Sequence, residues 1–305
     1  MKKAFTLVEL LIVIGIIGIL SAVLLVATSG VSDRAKSVKC AANLKSLATS
    51  ANSVQTSSGY YPFAQSVAYE GTDYSGGAAA VGYYVHRGWV SWLDAGAKYP
   101  AGSEPNFSQP SYAGTPLEVT HALTNGTLWR AVGGRRDVYL CPVHVKACQK
   151  KGVSSPGWSY QLNGFFGCSK MSATSSGVES GSLSSAERRV LFAEIPALDP
   201  SISTTKKAMK KAGVTALPTV NLSGGAGDET MDGCLRYKSL GGNESIGFNH
   251  VEGKRIVGHV AFADGHVESL AAPKDGNYDD LTDWLCRGLD VSYYNGQYTK
   301  AASNQ

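Results

Sequence analysis

Residues 1–27, MKKAFTLVELLIVIGIIGILSAVLLVA, decide how the rest of the chain is read. Lys2 and Lys3 form a short basic leader. From Ala4 to Ala27 the run is almost entirely apolar and carries one formal charge, Glu9. A membrane-crossing helix needs roughly 20 apolar residues, a length this run meets. A charged side chain at the bilayer centre costs on the order of 2.5–3.5 kcal/mol, so a lone carboxylate there marks function. A cleaved secretory signal has an apolar core of roughly 7–15 residues ending in a small-x-small site, and no use for Glu9. A plain single-span anchor accounts for the length but not for Phe5-Thr6-Leu7-Val8-Glu9.

Lys3-Ala4-Phe5-Thr6-Leu7-Val8-Glu9-Leu10-Leu11-Ile12-Val13 resembles the processing site of type IV prepilins and type II secretion pseudopilins. In that family a prepilin peptidase cuts before the Phe, the new amino terminus is N-methylated, and the fifth mature residue is Glu. The resemblance implies cleavage between Ala4 and Phe5, methylation of Phe5, and an assembly role for Phe5 and Glu9. Gly usually precedes the cut; Ala4 is small enough for a pocket that selects for size, so processing is expected at a slower or normal rate. The resemblance also implies a bacterial inner-membrane, single-pass precursor with its globular domain on the periplasmic side, later part of an extracytoplasmic filament. Expected partners are the peptidase, other copies and other pilins or pseudopilins, the inner-membrane assembly platform and the membrane itself.

The 305 residues are 43% hydrophobic and 17% charged, which suits a folded exported domain. Net charge is +4, and half of it belongs to Lys2 and Lys3, so the remainder is near neutral and gives no case for nucleic acid binding. Thirty-five Gly, with frequent Ser and Tyr, favour short strands joined by turns over a helical bundle. Six cysteines, Cys40, Cys141, Cys148, Cys168, Cys234 and Cys286, lie beyond the leader. In an oxidising compartment they are disulfide candidates, with at least two bridges expected and Cys141, Cys148 and Cys168 close together. Cys40 either staples the helix to the domain or stays a buried thiol. Zinc ligation by Cys141, His144, Cys148 and Cys168 is the alternative that the spacing allows.

Beyond Ser29-Gly30, Cys40, Leu44, Leu47, Ala51 and Val54 recur at steps of four and three, one face of an α-helix. Ser57-Ser58-Gly59 and Pro62 end the pattern. The helix from Phe5 to about Thr56 would be roughly 75 Å long at 1.5 Å per residue. The expected organisation is a leader over 1–4, a membrane-spanning or filament-core half-helix over 5–30, an amphipathic half over 31–58 and one globular domain over 59–305. Tyr60–Ser75, Tyr99–Thr115 and Ser169–Ser185 read as loops. Val81–Val85 and Trp89–Leu93 read as short strands or a buried turn, Leu123–Val132 as a short helix, and Asp137–Leu140, Gly157–Asn163 and Arg189–Ile195 as strands. Lys206, Lys207, Lys210 and Lys211 read as a solvated basic patch on an insertion.

Val260–Leu270 holds two alternating apolar runs around Asp264-Gly265, which predicts a hairpin with a type I′ turn. This stretch also resembles a pseudopilin subfamily in which a His precedes a hairpin Asp-Gly by about nine residues. Here thirteen residues separate His250 from Asp264, consistent with a longer turn through Glu252-Gly253-Lys254-Arg255. Tyr139-Leu140-Cys141-Pro142, Ser159-Tyr160-Gln161-Leu162-Asn163 and Leu191-Phe192-Ala193-Glu194 extend the likeness. His250, Asp264 and His266 are the weak metal candidates; no cofactor is expected, with structural calcium or zinc the exceptions.

Catalytic motifs are absent from the sequence: no Gly-x-Ser-x-Gly elbow, no His-Glu-x-x-His, no Walker loop. Ser223–Asp228 is Gly-rich without a phosphate-binding Lys, and Asp279, Asp280 and Asp283 cluster without an acid–base partner. The expectation is therefore a non-enzymatic α+β subunit, a long amino-terminal helix packed on a mostly antiparallel sheet, that assembles into a pilus or a type II secretion-like pseudopilus. The alternative is a minor tip subunit or adhesin binding a surface ligand or carbohydrate through Tyr60, Tyr61, Tyr83, Tyr84, Trp89 and Trp92. Burial of Trp89 and Trp92 would favour the structural role.

Overall fold

The computed structural model describes residues 7–28, 31–64, 67–71, 82–91, 116–152, 156–166, 187–218, 233–240 and 244–300. Ala4, Phe5, Trp92 and Cys168 lie outside them, as do the expected loops over 99–115 and 169–185 and the Gly-rich stretch 223–228.

Two helices open the chain, α1 (Leu7–Thr28) and α2 (Val31–Ser58). In α1 the apolar residues from Leu7 to Leu20 are exposed on every side of the helix, from 45% at Val13 to 79% at Leu7. Among the described residues no helix is long and apolar enough to cross a membrane. The part of α1 whose side chains are described stops at Ser21, short of the roughly 20 residues a span needs. α2 behaves differently. It buries Ser37, Cys40, Asn43, Leu44, Leu47, Ala48, Ser50 and Ala51, one stripe at helical spacing, and leaves the opposite side to solvent. Leu44 and Leu47 are fully covered, and burying such a side chain stabilises by about 1.5–3 kcal/mol.

Among the described residues there follow β1 (Val67–Gly71), β2 (Gly82–His86), α3 (Pro116–Asn125), a 3-10 turn (Arg136–Tyr139), α4 (Pro142–Lys150), β3 (Tyr160–Asn163), β4 (Val190–Glu194), α5 (Ser203–Ala212), β5 (Cys234–Leu235), β6 (His250–Glu252), β7 (Arg255–Phe262), β8 (Val267–Ala271), α6 (Tyr278–Cys286), β9 (Val291–Tyr294) and β10 (Gln297–Lys300), with two further 3-10 turns at Gly164–Phe166 and Lys238–Leu240. Six strands form the main sheet in the order β5-β3-β4-β7-β6, with β8 also on β7. Every pairing is antiparallel except β3 with β5. The fold is thus α+β, with a long amino-terminal helix on a mostly antiparallel sheet. One core cluster lies between α2 and the sheet around Leu44, Leu47, Trp89, Tyr139 and Phe192. A second lies on the other side around Val260, Phe262, Tyr278 and Leu281. Successive residues of β7 feed the two in turn, Ile256, Val260 and Phe262 into one and Ala261 into the other, as a period of two requires.

Several local expectations are corrected. The loop over 60–75 contains β1, which pairs with β2. Asp137–Leu140 is not a strand: the Val138 N–H donates to Arg135 O at 3.4 Å and the Leu140 N–H to Asp137 O at 3.3 Å, bonds across three residues that wind the segment as the 3-10 turn. The short helix lies over Pro116–Asn125, seven residues before its expected start. The lysines at 206–211 are exposed, as expected of a solvated patch, and the segment that carries them is the helix α5, which buries only Thr205 and Met209. The β7–β8 turn is not type I′. Gly265 has φ +92, but Asp264 does not have a positive φ. The Gly265 N–H donates to Phe262 O, and the Phe262 N–H donates to His266 O, at 2.9 Å each, giving a three-residue loop with glycine in the left-handed position. A type I′ turn occurs instead between β9 and β10, where Asn295 and Gly296 have φ +51 and +91.

Candidate functional site

β7 runs for eight residues, longer than β4 or β6. Ala261 pairs with Phe192 of β4 and with Val267 of β8, while Val257 pairs with His250 of β6 and Ala271 of β8. Hence β8 holds one edge of β7, and β4 and β6 share the other edge end to end. Glu194 finishes β4 and His250 starts β6, so the two side chains meet where the strands abut. Glu194 Oε1 lies 2.8 Å from His250 Nε2, and Oε2 accepts the His259 backbone N–H at 3.3 Å. Asn249 locks the junction: its Oδ1 accepts the Ala197 N–H and its Nδ2 donates to Ile195 O, both at 2.7 Å.

Two thiols close over this junction. α2 supplies Cys40 from the middle of its buried stripe. Cys141 is the extended residue before α4, held out of helical geometry by Pro142 behind it. Asn43 Nδ2 fixes that segment to α2 through Leu140 O at 2.9 Å and Asp137 O at 3.2 Å, and it also donates to the Tyr160 hydroxyl of β3 at 3.2 Å. Cys141 Sγ lies 3.8 Å from His250 Nε2. One ligand-type atom each from Cys40, Cys141, Glu194 and His250 falls within 4.8 Å of all the others, and all four residues are buried.

Burial opposes ionisation of Glu194, but His250 beside it outweighs that and holds the carboxyl below its usual range. Burial likewise opposes the His250 imidazolium, and Glu194 prevails, raising it to about 10. Desolvation works against the Cys141 thiolate, yet hydrogen bonds with Cys40 and His250 bring it down to about 7. Burial pushes the Cys40 thiol far up. His250 Nδ1 is buried without a hydrogen-bond partner, so the ring is held from its Nε2 side.

A second polar group lies beside the first. Ser37 Oγ sits 2.6 Å from Glu252 Oε1 and 2.8 Å from His259 Nε2, while Ser269 Oγ is 2.8 Å from His259 Nδ1. Ser37–His259 has the distance of a nucleophile–base pair. Ser269 stands where an orienting carboxylate would be, and Ser37 and His259 are each only 2% exposed, so the contact ties α2 to the sheet.

Other sequence candidates fall elsewhere. Asp264 and His266 are partly exposed on the β7–β8 turn, 2.6 Å apart, and His250 is buried with Glu194 and Cys141. The Asp-Gly turn and its His therefore belong to different surroundings. The disulfide expectation is corrected for Cys40, Cys141 and Cys286, which are free thiols; these three, Cys148 and Cys234 are all buried. Cys141 and Cys148 stand at opposite ends of α4, roughly 10 Å apart along its axis, beyond disulfide reach. Cys148 instead meets the His144 Nε2 at 3.7 Å. Asp279, Asp280 and Asp283 are taken up by Ser245, Lys238 and the Ser239 N–H respectively. Trp89 is fully buried, stacked on Tyr139 at 5.6 Å, and its Nε1 donates to Gly233 O at 2.8 Å. Tyr61 is buried too, whereas Tyr60 is exposed.

Glu194 and His259 are the site residues that the sequence reading passed over. The available signal was polar: a carboxylate ending the otherwise apolar run Val190-Leu191-Phe192-Ala193, and a His inside the apolar β7.

At the other end of the molecule, Glu9 lies in the first turn of α1, where a carboxylate complements the helix dipole. Its neighbours along the helix are the exposed apolar side chains described above. No curated protein and no solved structure matches the chain. Residues 1–25 match the family model of the prokaryotic N-terminal methylation motif. The chain is therefore prepilin-like at its amino end, carrying a motif that implies processing by prepilin peptidase and a membrane-anchored, extracytoplasmic protein.

Proposed function

We propose that this chain is a structural subunit of a pilus or a type II secretion-like pseudopilus, cut between Ala4 and Phe5 and assembled through α1. The observation that carries this reading is the continuity of the methylation motif with a helix whose apolar side chains are exposed all round. Covering one Leu or Ile is worth about 1.5–3 kcal/mol, so such a surface belongs in lipid or against copies of itself. In this reading 5–30 forms the filament core, 31–58 joins it to the domain, and 59–305 is displayed outside. Phe5, through its new amino group, pairs with Glu9 of a neighbouring copy and sets the register. Pairing removes most of the penalty of burying either charge. The islands around Cys141, Asn163, Glu194 and Asp264-Gly265 support membership of the pseudopilin subfamily with the carboxyl-terminal His and Asp-Gly.

Intact-mass and amino-terminal analysis of protein extracted from membranes tests the processing step. The expected chain begins at methylated Phe5; one beginning near Gly30 would establish an ordinary signal peptide and end the proposal.

A further inference from the structure

We propose that Cys40, Cys141, Glu194 and His250 form a closed four-ligand site for a divalent transition-metal ion of the zinc class, which pins α2 to the sheet. Two sulfurs, one imidazole nitrogen and one carboxylate oxygen make a complete tetrahedral set for zinc and a poor one for calcium or magnesium, which take oxygen. All four donors converge within 4.8 Å and are buried.

Zinc bonds of about 2.3 Å to sulfur and 2.0–2.1 Å to nitrogen or oxygen place tetrahedral S···N at about 3.6 Å and N···O at about 3.3 Å. Cys141 Sγ and His250 Nε2 are already 3.8 Å apart. Glu194 Oε1 and His250 Nε2, hydrogen-bonded at 2.8 Å, would open by about half an ångström around the ion. Binding releases the protons of both thiols and of Nε2 to solvent, leaving two thiolates, a carboxylate and a neutral imidazole on the cation. The single residual negative charge is met by the His259 N–H on Glu194 Oε2.

The ligands come from α2, the residue before α4, β4 and β6, so one ion would cross-link four elements of the fold. A cleft of about 360 Å³, lined among others by Lys36, Pro142, Lys146, Thr205 and Asn249, reaches His250.

Elemental analysis of the full-length protein, extracted in detergent without chelator, is expected to give stoichiometric zinc. After exchange, Co²⁺ should show a thiolate-to-metal charge-transfer band and the intense visible bands of a tetrahedral complex. Cys40→Ser and Cys141→Ser should each weaken the charge-transfer band by about half or abolish binding, while Cys148→Ser leaves it intact. If a variant fails to fold, the wild-type cobalt spectrum alone decides. Folded, reduced wild-type protein that takes up no cobalt on sulfur would overturn the proposal. So would a Cys40–Cys141 disulfide in protein alkylated during extraction, or a cobalt spectrum unchanged in both Cys40→Ser and Cys141→Ser.

Discussion

Gly258→Ala perturbs the junction without touching any group of the site. A Cβ at Gly258 would lie 2.1 Å from Gly247 O, 3.0 Å from Gly247 C and 3.2 Å from Phe248 Cα. All three are backbone atoms, so no side chain can swing aside. Relief requires the 244–249 segment to lift off β7. That movement breaks the bond in which the Gly247 N–H donates to Glu194 O at 2.7 Å, and it carries His250 away from Glu194. Overpacking costs about 1–3 kcal/mol and the lost hydrogen bond about 0.5–1.5. Replacing Gly lowers the entropy of the unfolded chain, which returns about 0.4–1 kcal/mol. The net expectation is a loss of about 2 kcal/mol, within a span of about 0.5–4. Gly253→Ala is the control, since nothing lies within 4 Å there and only the positive φ of +64 opposes the methyl; it should cost about 1–2 kcal/mol. Urea unfolding of detergent-extracted protein, followed by tryptophan fluorescence, gives both numbers. A Gly258→Ala midpoint indistinguishable from wild type would refute the close approach of 247 and 258, and with it the end-to-end placement of β4 and β6.

Two further perturbations probe other parts of the fold. Burial lowers His144 to about 4, whereas an unfolded His titrates near 6.5, so the unfolded chain takes up the proton first. Its contribution is complete above about pH 6.5 and lost as pH falls toward 4, by at most about 3 kcal/mol; His144→Gln should flatten the pH dependence of melting in that window. Asn295→Ala should cost about 1 kcal/mol and speed amide exchange across β9 and β10, while Asn295→Gly should do neither, because Asn295 holds φ +51.

The helix on the sheet was legible because periodicity survives any tertiary context that buries a single face. Cys40, Leu44, Leu47 and Ala51 announce α2 at steps of four and three, and all four are fully buried. α5 was illegible for the opposite reason: four lysines dominate ten residues, and Thr205 and Met209 are too few to reveal a period. At the hairpins, Asp-Gly and Asn-Gly look equivalent in sequence, yet only Asn295-Gly296 has two positive φ values. Asp264 instead accepts the His266 N–H at 3.0 Å, a local bond available to its short side chain in a three-residue loop. The buried cluster shows a deeper limit. Cys40, Cys141 and His250 each drew attention singly, but no spacing rule links them. Their meeting depends on β6 following β4 along one edge of β7, a pairing that local sequence does not encode. Glu194 was hidden further, since a strand-terminal carboxylate ordinarily faces water.

Glu9→Leu tests assembly through α1 most directly, by comparing sheared filament fractions with membrane fractions for wild type and mutant. Removing the charge lowers the cost of membrane insertion, so a Glu9 that is merely tolerated would insert better as Leu and assemble normally. If Glu9 pairs with the amino terminus of a neighbour, the substitution strands an ammonium group in an apolar core, at a cost on the order of 3–5 kcal/mol. The expected result is a mutant that is cleaved, accumulates in the membrane and is missing from filaments. Normal incorporation of Glu9→Leu into filaments would contradict assembly through a Phe5–Glu9 pair.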